Sequence, residues 1–278
     1  MYLIFTDLDG SLLDHFDYSF EPARSTLQAL NEKNIPVICS TSKTFAELIV
    51  LREQLGNEHP FIVENGAAVY IPKAYFPRAV NPLDVKSGEV KHSEREDYDC
   101  YSFVQPRQHW QRLIAAQKPT FSGCYITFDE LGIEGIAEQT GLSHEGAIRA
   151  NQREFGEPVM WTGDMSVRYR FIKAMRQRGA TILQGGRFMH VSGACDKGSA
   201  LKWLKAIYQQ EQGQMITSIA AGDSGNDVAM LEAADKSIIV RSPVHEPPQV
   251  NRTDDIWITE SIGPTGWAEG INRFISLE

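Results

Sequence analysis

Three short apolar runs near the amino terminus, separated by two segments of helical periodicity, constrain this chain most. YLIFT at 2–6, PVICS at 36–40 and FIV at 61–63 read as buried strands. Between the first two, Pro22 suits the first turn of a helix, and Ala23, Leu27 and Leu30 recur at helical spacing. Between the second and third, Thr44 and Glu47 have capping-box spacing, which predicts a helix starting there and ending near Gly56. A strand–helix–strand–helix–strand series with connections this short predicts a parallel sheet with helices on its faces. The fold class expected is therefore α/β, with a Rossmann-like, doubly wound parallel core.

The pattern breaks from about residue 84 to 188. A charged, turn-rich stretch at 84–99 precedes the strand-like YITF at 125–128 and a helix-like run to Gln139. A further helix is predicted from near Met165, with Val167, Phe171 and Met175 on one apolar face and Gly179 as its stop. TILQ and RFMHV then flank a hairpin turn at Gly185-Gly186. Strands and helices mixed in this way predict an inserted α+β cap domain. The parallel pattern resumes with a helix capped by Asp196 and carrying Leu201, Leu204 and Tyr208. It continues with ITSIAA at 216–221, a helix from about Asp227, SIIV at 237–240 and a Pro-rich loop from Ser242 to Pro248. The expected bounds are 1–83 and 189–278 for the core and 84–188 for the insertion.

Charge narrows the function. The formal net charge is −9, which argues against nucleic acid or an anionic membrane as the main partner. An acidic protein that binds a phosphate ester needs local positive charge, which a divalent cation and a few lysines or arginines would supply. The four cysteines form no CxxC pair and no zinc spacing, as expected for free thiols in a reducing cytosol. No apolar run reaches transmembrane length, and a cytoplasmic location is expected.

The chemistry gathers at the ends of the predicted parallel strands. Asp7-Leu8-Asp9-Gly10-Ser11 follows the first strand directly, and ligand sites of parallel sheets lie beyond the strands' carboxyl ends. Two carboxylates there can divide labour, one attacking phosphorus and the other protonating the leaving oxygen and then activating water. A solvated acidic turn would read the same in isolation. Gly222-Asp223-Ser224-Gly225-Asn226-Asp227 follows the ITSIAA strand. Magnesium prefers hard oxygen ligands, usually one or two carboxylates with waters and phosphate, and Asp223 beside Asp7 meets that need. A plain Gly/Asn/Asp turn with a helix cap is the alternative. Lys197 at a helix start can neutralise phosphate. Ser40-Thr41-Ser42-Lys43-Thr44 offers hydroxyls beside a helix N-terminus, or simply a cap. All four stretches lie in the parallel part and none in the insertion.

Taken in order, DxDG[ST] at 7–11, Thr41, Lys197 and GDxxND at 222–227 resemble the four motifs of the haloacid-dehalogenase superfamily. The resemblance covers the whole chain, and an insertion after the third strand is similar to the cap of Cof-like sugar phosphatases. It implies that Asp7 is the nucleophile and Asp9 the acid/base. Asp7, the Asp9 backbone carbonyl and Asp223 would bind Mg2+, with Asp227 orienting the metal site, and Thr41, Ser42, Lys197 and Asn226 would bind phosphate. A narrower likeness is carried by Thr41-Ser42-Lys43-Thr44, Glu64-Asn65-Gly66-Ala67, Arg153-Glu154-Phe155-Gly156-Glu157-Pro158 and Gly185-Gly186-Arg187-Phe188. Together these resemble the mannosyl-3-phosphoglycerate phosphatase family.

That likeness implies a magnesium-dependent phosphomonoesterase whose small-molecule partner is a phosphorylated sugar-glycerate or a sugar phosphate. Arg153 or Arg187 could grip the glycerate carboxylate, and Glu154 or Glu157 could accept bonds from sugar hydroxyls. His190 reads as a structural strand residue. A broad sugar-phosphate phosphatase, a glucosyl-3-phosphoglycerate phosphatase, a phosphomutase or phosphotransferase, and a non-enzymatic phosphate sensor stay open at this point. Nothing in the sequence speaks to oligomeric state.

Overall fold

The computed structural model describes residues 1–77, 80, 90–185 and 187–277. Along the chain run β1 (Tyr2–Thr6), α1 (Arg24–Glu32), β2 (Val37–Cys39), α2 (Phe45–Leu55), β3 (Phe61–Val63), β4 (Ala68–Pro72), β5 (Lys91–Arg95) and β6 (Tyr98–Ser102). Next come α3 (Arg107–Ala115), β7 (Tyr125–Thr127), α4 (Phe128–Thr140), α5 (His144–Asn151), β8 (Glu157–Trp161), α6 (Met165–Arg176), β9 (Thr181–Gly185) and β10 (Phe188–Ser192). The chain closes with α7 (Lys197–Gln212), β11 (Thr217–Gly222), α8 (Val228–Ala233), β12 (Lys236–Arg241), β13 (Ile256–Ile262) and α9 (Gly263–Phe274). No helix among the described residues is long and apolar enough to cross a membrane.

The residues divide into two compact units. The first comprises 1–42, 57–101 and 196–278. Its main sheet has the order β13-β12-β11-β1-β2, with neighbouring strands parallel. A parallel bridge from Ser40 to Ile62 carries the order on to β3. The central strands are apolar along their length, as burial on both faces requires. β1 lies between β2, its successor in the parallel series, and β11, which arrives from far along the chain. That is the reversal point where open parallel sheets form a crevice. A second sheet of this unit has the order β3-β4-β6-β5. Trp267 of α9 is fully buried, and its indole N–H donates to the Thr6 hydroxyl at 2.9 Å, tying the last helix to the end of β1.

The second unit comprises 43–56 and 102–195. Its sheet, β7-β8-β10-β9, is antiparallel throughout. The alternation of β10 feeds two cores: Met189 and Val191 join Trp110, Tyr125 and Phe171, while Phe188 joins Phe128, Ile136 and Ala147. The class read from sequence, a parallel α/β core with an inserted α+β domain, is the architecture found.

Several details differ from the sequence reading. The insertion was bounded at 84–188, whereas β5 and most of β6 group with the first unit and α2 groups with the second. The α2 capping box forms as predicted, and the Thr44 hydroxyl also contacts the Arg149 carbonyl of the same unit at 2.9 Å. α6 stops at Gln177, with Gly179 taking its left-handed conformation (φ 86°) two residues later. Gly185 is the last residue of β9 and pairs with Phe188, and Gly186 lies outside the described residues.

Candidate active site

Asp7 stands one residue beyond β1 and Asp223 one residue beyond β11, so the β1–β11 pairing brings them to the same sheet end. Both are buried. Lys197, the first residue of α7, is fully buried, and its ammonium donates to Asp7 Oδ1 at 2.5 Å and to Asp227 Oδ1 at 2.6 Å. The other Asp227 oxygen accepts from the backbone N–H groups of Asp223 at 3.2 Å and Ser224 at 3.1 Å. Asp227 therefore holds the lysine on one side and the Asp223 loop on the other. Carboxylate oxygens of Asp7, Asp223 and Asp227 all lie within 4.8 Å of one another.

Gly10 explains how the first loop fits. Its φ is 80°, and a Cβ there would stand 2.7 Å from Asp223 Oδ2, so only glycine lets this backbone pass the second acid. Ser11 donates to Asp223 Oδ1 at 3.4 Å. Asp9 is half-buried and pairs through its backbone with Leu13.

Thr41 is buried just past β2. Its N–H donates to the Ile62 carbonyl at 3.0 Å, and its carbonyl accepts from Asn65 N–H at 2.9 Å. Ser42 beside it is half-buried. Asn226 is exposed in a single turn at 225–227, with its Nδ2 donating to Asn65 Oδ1 at 3.0 Å.

Charge in this cluster is unbalanced. Burial pushes the pKa of Asp7 well above the ordinary carboxylate value; Asp227 adds to the rise, Lys197 opposes it, and Asp9 and Asp223 contribute further upward. Asp223 is raised to about 6 by burial and then by Asp227, with His245 and Lys197 pulling the other way. Burial alone would lower Lys197, but Asp227 and Asp7 outweigh it and raise it, so the ammonium stays charged. Three buried carboxylates around one ammonium form a hard-oxygen donor set with negative charge to spare, which fits a divalent cation such as magnesium. Asp7 and Asp223 have the more available oxygens, since both Asp227 oxygens carry the bonds above.

The residues read from sequence as specificity elements lie in the second unit. Arg153 and Glu154 are half-buried between α5 and β8, and the Glu154 carbonyl accepts from Arg107 N–H at 2.6 Å. Arg187 is exposed and donates to the Gln139 carbonyl at 2.9 Å. Glu157 is fully buried and committed elsewhere: it pairs with Arg107 and accepts from Gln111 at 3.1 Å and from Asp129 N–H at 3.2 Å. A carboxylate so occupied packs its own unit. Burial lowers the His190 pKa to about 3, with Arg153 adding to the effect, so this strand histidine is neutral.

Sequence reasoning missed His245, whose Nε2 lies 3.2 Å from Asp223 Oδ2. A lone histidine in a Pro-rich loop carries no motif. It also missed the part that Ser11 plays, though Ser11 closes the first motif.

A parallel core with this acid–lysine cluster at its reversal point defines the class: a phosphatase on a haloacid-dehalogenase-like hydrolase scaffold. The comparisons agree. The family described as haloacid dehalogenase-like hydrolase matches residues 4–110, and that of sucrose-6F-phosphate phosphohydrolase matches residues 169–275. A glucosyl-3-phosphoglycerate/mannosyl-3-phosphoglycerate phosphatase from Methanococcoides burtonii is 36% identical over 278 residues, covering 99% of this chain and 97% of that protein. The chain belongs to the haloacid-dehalogenase-like hydrolases and, within them, to the family of that archaeal phosphatase.

Two solved structures share the fold. A phosphatase of the haloalkanoate superfamily from Bacteroides thetaiotaomicron matches with TM-score 0.67 at 15% identity, over 100% of this chain and 96% of that one. The sucrose-phosphatase from Synechocystis sp. PCC6803, determined with sucrose and phosphate, matches with TM-score 0.57 at 15% identity, over 98% and 97%.

Proposed function

We propose that this phosphatase hydrolyses a sugar-glycerate phosphate, mannosyl-3-phosphoglycerate or its glucosyl counterpart, through an aspartyl phosphate on Asp7 and with magnesium bound. One observation carries the chemistry: Asp7 is buried at the sheet's reversal point, bonded to Lys197 and within metal-bridging distance of Asp223. The substrate rests on the 36% identical relative, whose name covers both sugars.

Thr41, Ser42, Lys197 and Asn226 bind the phosphoryl oxygens and align phosphorus with Asp7. An Asp7 oxygen attacks phosphorus, the ester P–O bond breaks, and Asp9 gives its proton to the departing sugar-glycerate oxygen. Asp9 then takes a proton from water, whose oxygen attacks phosphorus and displaces Asp7, releasing inorganic phosphate. Lys197 limits the charge repulsion between Asp7 and the incoming phosphate. Magnesium, held by Asp7, Asp223 and the backbone carbonyl of Asp9, would neutralise phosphoryl charge. Asp227 fixes Lys197 and the Asp223 loop. Arg153, Glu154 and Arg187 contribute to substrate selection from the second unit, whose bounds we take as 84–188 on the sequence pattern and as 43–56 with 102–195 on packing.

The test is Asp7→Asn. It should abolish turnover while circular dichroism and melting stay native-like, and appreciable phosphatase activity in the folded variant would refute the assignment. A panel of phosphate esters containing both glycosyl-3-phosphoglycerates tests the substrate. Release of inorganic phosphate without isomerised sugar phosphate separates hydrolysis from mutase chemistry.

A further inference from the structure

We infer that Asn65 is a positioning residue that holds the Asn226 carboxamide in its phosphate-binding orientation, an inference that rests on the role given to Asn226 above. Its starting point is the backbone. Glu64, Asn65 and Gly66 have φ of 47°, 59° and 91°, three consecutive residues in the left-handed region. Glutamate rarely adopts it, and asparagine tolerates it better than most. All three residues are buried. Such a turn persists only where its surroundings over-determine it, and such turns concentrate at functional sites.

The surroundings here are the loops of the site. Asn65 N–H donates to the Thr41 carbonyl at 2.9 Å. A Cβ on Gly66 would overlap the Asp196 carbonyl oxygen, one residue before Lys197. Asn65 Oδ1 accepts from Asn226 Nδ2 at 3.0 Å. One short turn thus touches three of the segments that carry phosphate-binding groups.

Asn226 needs such a hold. It is exposed, in a single turn, and an exposed carboxamide can rotate or exchange its oxygen and nitrogen ends. Here the Ser224 hydroxyl donates to its Oδ1 at 2.6 Å, while Asn65 takes one of its N–H groups. Bonds at both ends fix the plane and the identity of each end, leaving the second N–H to donate to a phosphoryl oxygen. The Asn65 oxygen, buried and itself anchored through the backbone, is the rigid member of the pair. Preorganisation of this kind lowers the ordering cost of binding.

A purely conformational role for Asn65 is separable by Asn65→Gly, which keeps the positive φ and the N–H to Thr41 but deletes the acceptor. We expect this variant to raise KM and the inhibition constant of inorganic phosphate together, each about tenfold, the scale of one hydrogen bond's worth of binding. Its kcat should stay within about twofold, the signature of lost uniform binding. Asn226→Ala should weaken phosphate binding as well, and the double variant should match Asn226→Ala alone, because the two residues act as one unit. If Asn226→Ala weakens phosphate binding while Asn65→Gly does not, or if the two effects add, the positioning role is overturned. If Asn226→Ala leaves phosphate binding unchanged, the reading of Asn226 fails instead, and this inference falls with it. Should Asn65→Gly not fold, Ser224→Ala decides from the exposed side: a rise of about threefold in the phosphate inhibition constant is expected, and no change overturns the proposal.

Discussion

Two buried ionic clusters occur in this molecule, one in each unit, and they are built on opposite terms. In the second unit Arg107 and Glu157 pair one to one. The remaining Arg107 donors go to Asn151, at 2.5 Å to its carbonyl and 3.0 Å to its side chain, and Glu157 also accepts from Gln111 and Asp129. Charge and hydrogen bonds there are balanced. In the first unit Lys197 faces Asp7 and Asp227, with Asp223 alongside, and the acids outnumber the base. Burial raises the pKa of both Asp7 and Asp223. The balanced cluster joins elements within its unit, and the unbalanced one leaves attraction unspent for a cation and a phosphoryl group. Burial of charge alone does not mark a site, whereas burial without balance does.

The comparison can be broken by removing the cation from each cluster. Lys197→Met should cut turnover by about 10³-fold or more in protein that still folds with magnesium present, because a group acting on the developing charge is lost. Measured kcat near wild type would show that the lysine merely fills space. Arg107→Met should instead cost about 3–5 kcal/mol of stability by stranding Glu157, with kcat per folded molecule changed little. A denaturant melt and active-site-normalised kinetics read the two quantities, and a loss of kcat comparable to that of Lys197→Met would erase the distinction.

A smaller effect is in the pH dependence. In the unfolded chain Asp223 ionises near 3.8, and in the folded metal-free protein near 6. Between these values the folded state holds more protons, so stability contributed by this group falls as pH rises and is lost above about 6. Asp7, raised by burial and by Asp227, acts in the same direction. Magnesium should flatten that slope, and melting curves from acid to neutral pH with and without the ion check it. A metal-free protein that gains stability over this window from these two acids would contradict the charge imbalance. Least in size, Gly10→Ala should lose about 1–3 kcal/mol from its left-handed backbone and its approach to Asp223, and should weaken magnesium binding measured by calorimetry.

Much of the first unit was legible because its physics is local. Apolar strands buried on both faces, the Thr44–Glu47 box and the Asp196 cap are short-range signals, and each formed. The convergence of Asp7, Lys197, Asp223 and Asp227 was legible because parallel strands place their carboxyl ends together. What escaped detection depends on distant partners. β5 reads KHSER and is exposed, so no alternation marks it. Its grouping with the first unit is set by pairing with β6, not by composition. β13 and α9 went unread, although Trp267 anchors to Thr6 across nearly the whole chain. Glu157 looked like a surface charge and is fully buried, because Arg107 some fifty positions away neutralises it. His245 and the Asn65–Asn226 bond are pairings of single polar residues that no periodicity announces.

The account stands on Asp7 as the atom donor to phosphorus. Acid-quenched single turnovers with a hydrolysed phosphate ester and magnesium, followed by peptide mass spectrometry, test it most directly. A phosphoryl group located on Asp7, and absent from Asp7→Asn, is predicted. Phosphate release with no phosphorylated peptide at any time point, or a phosphoryl group on Asp9 or Asp223 instead, would contradict it.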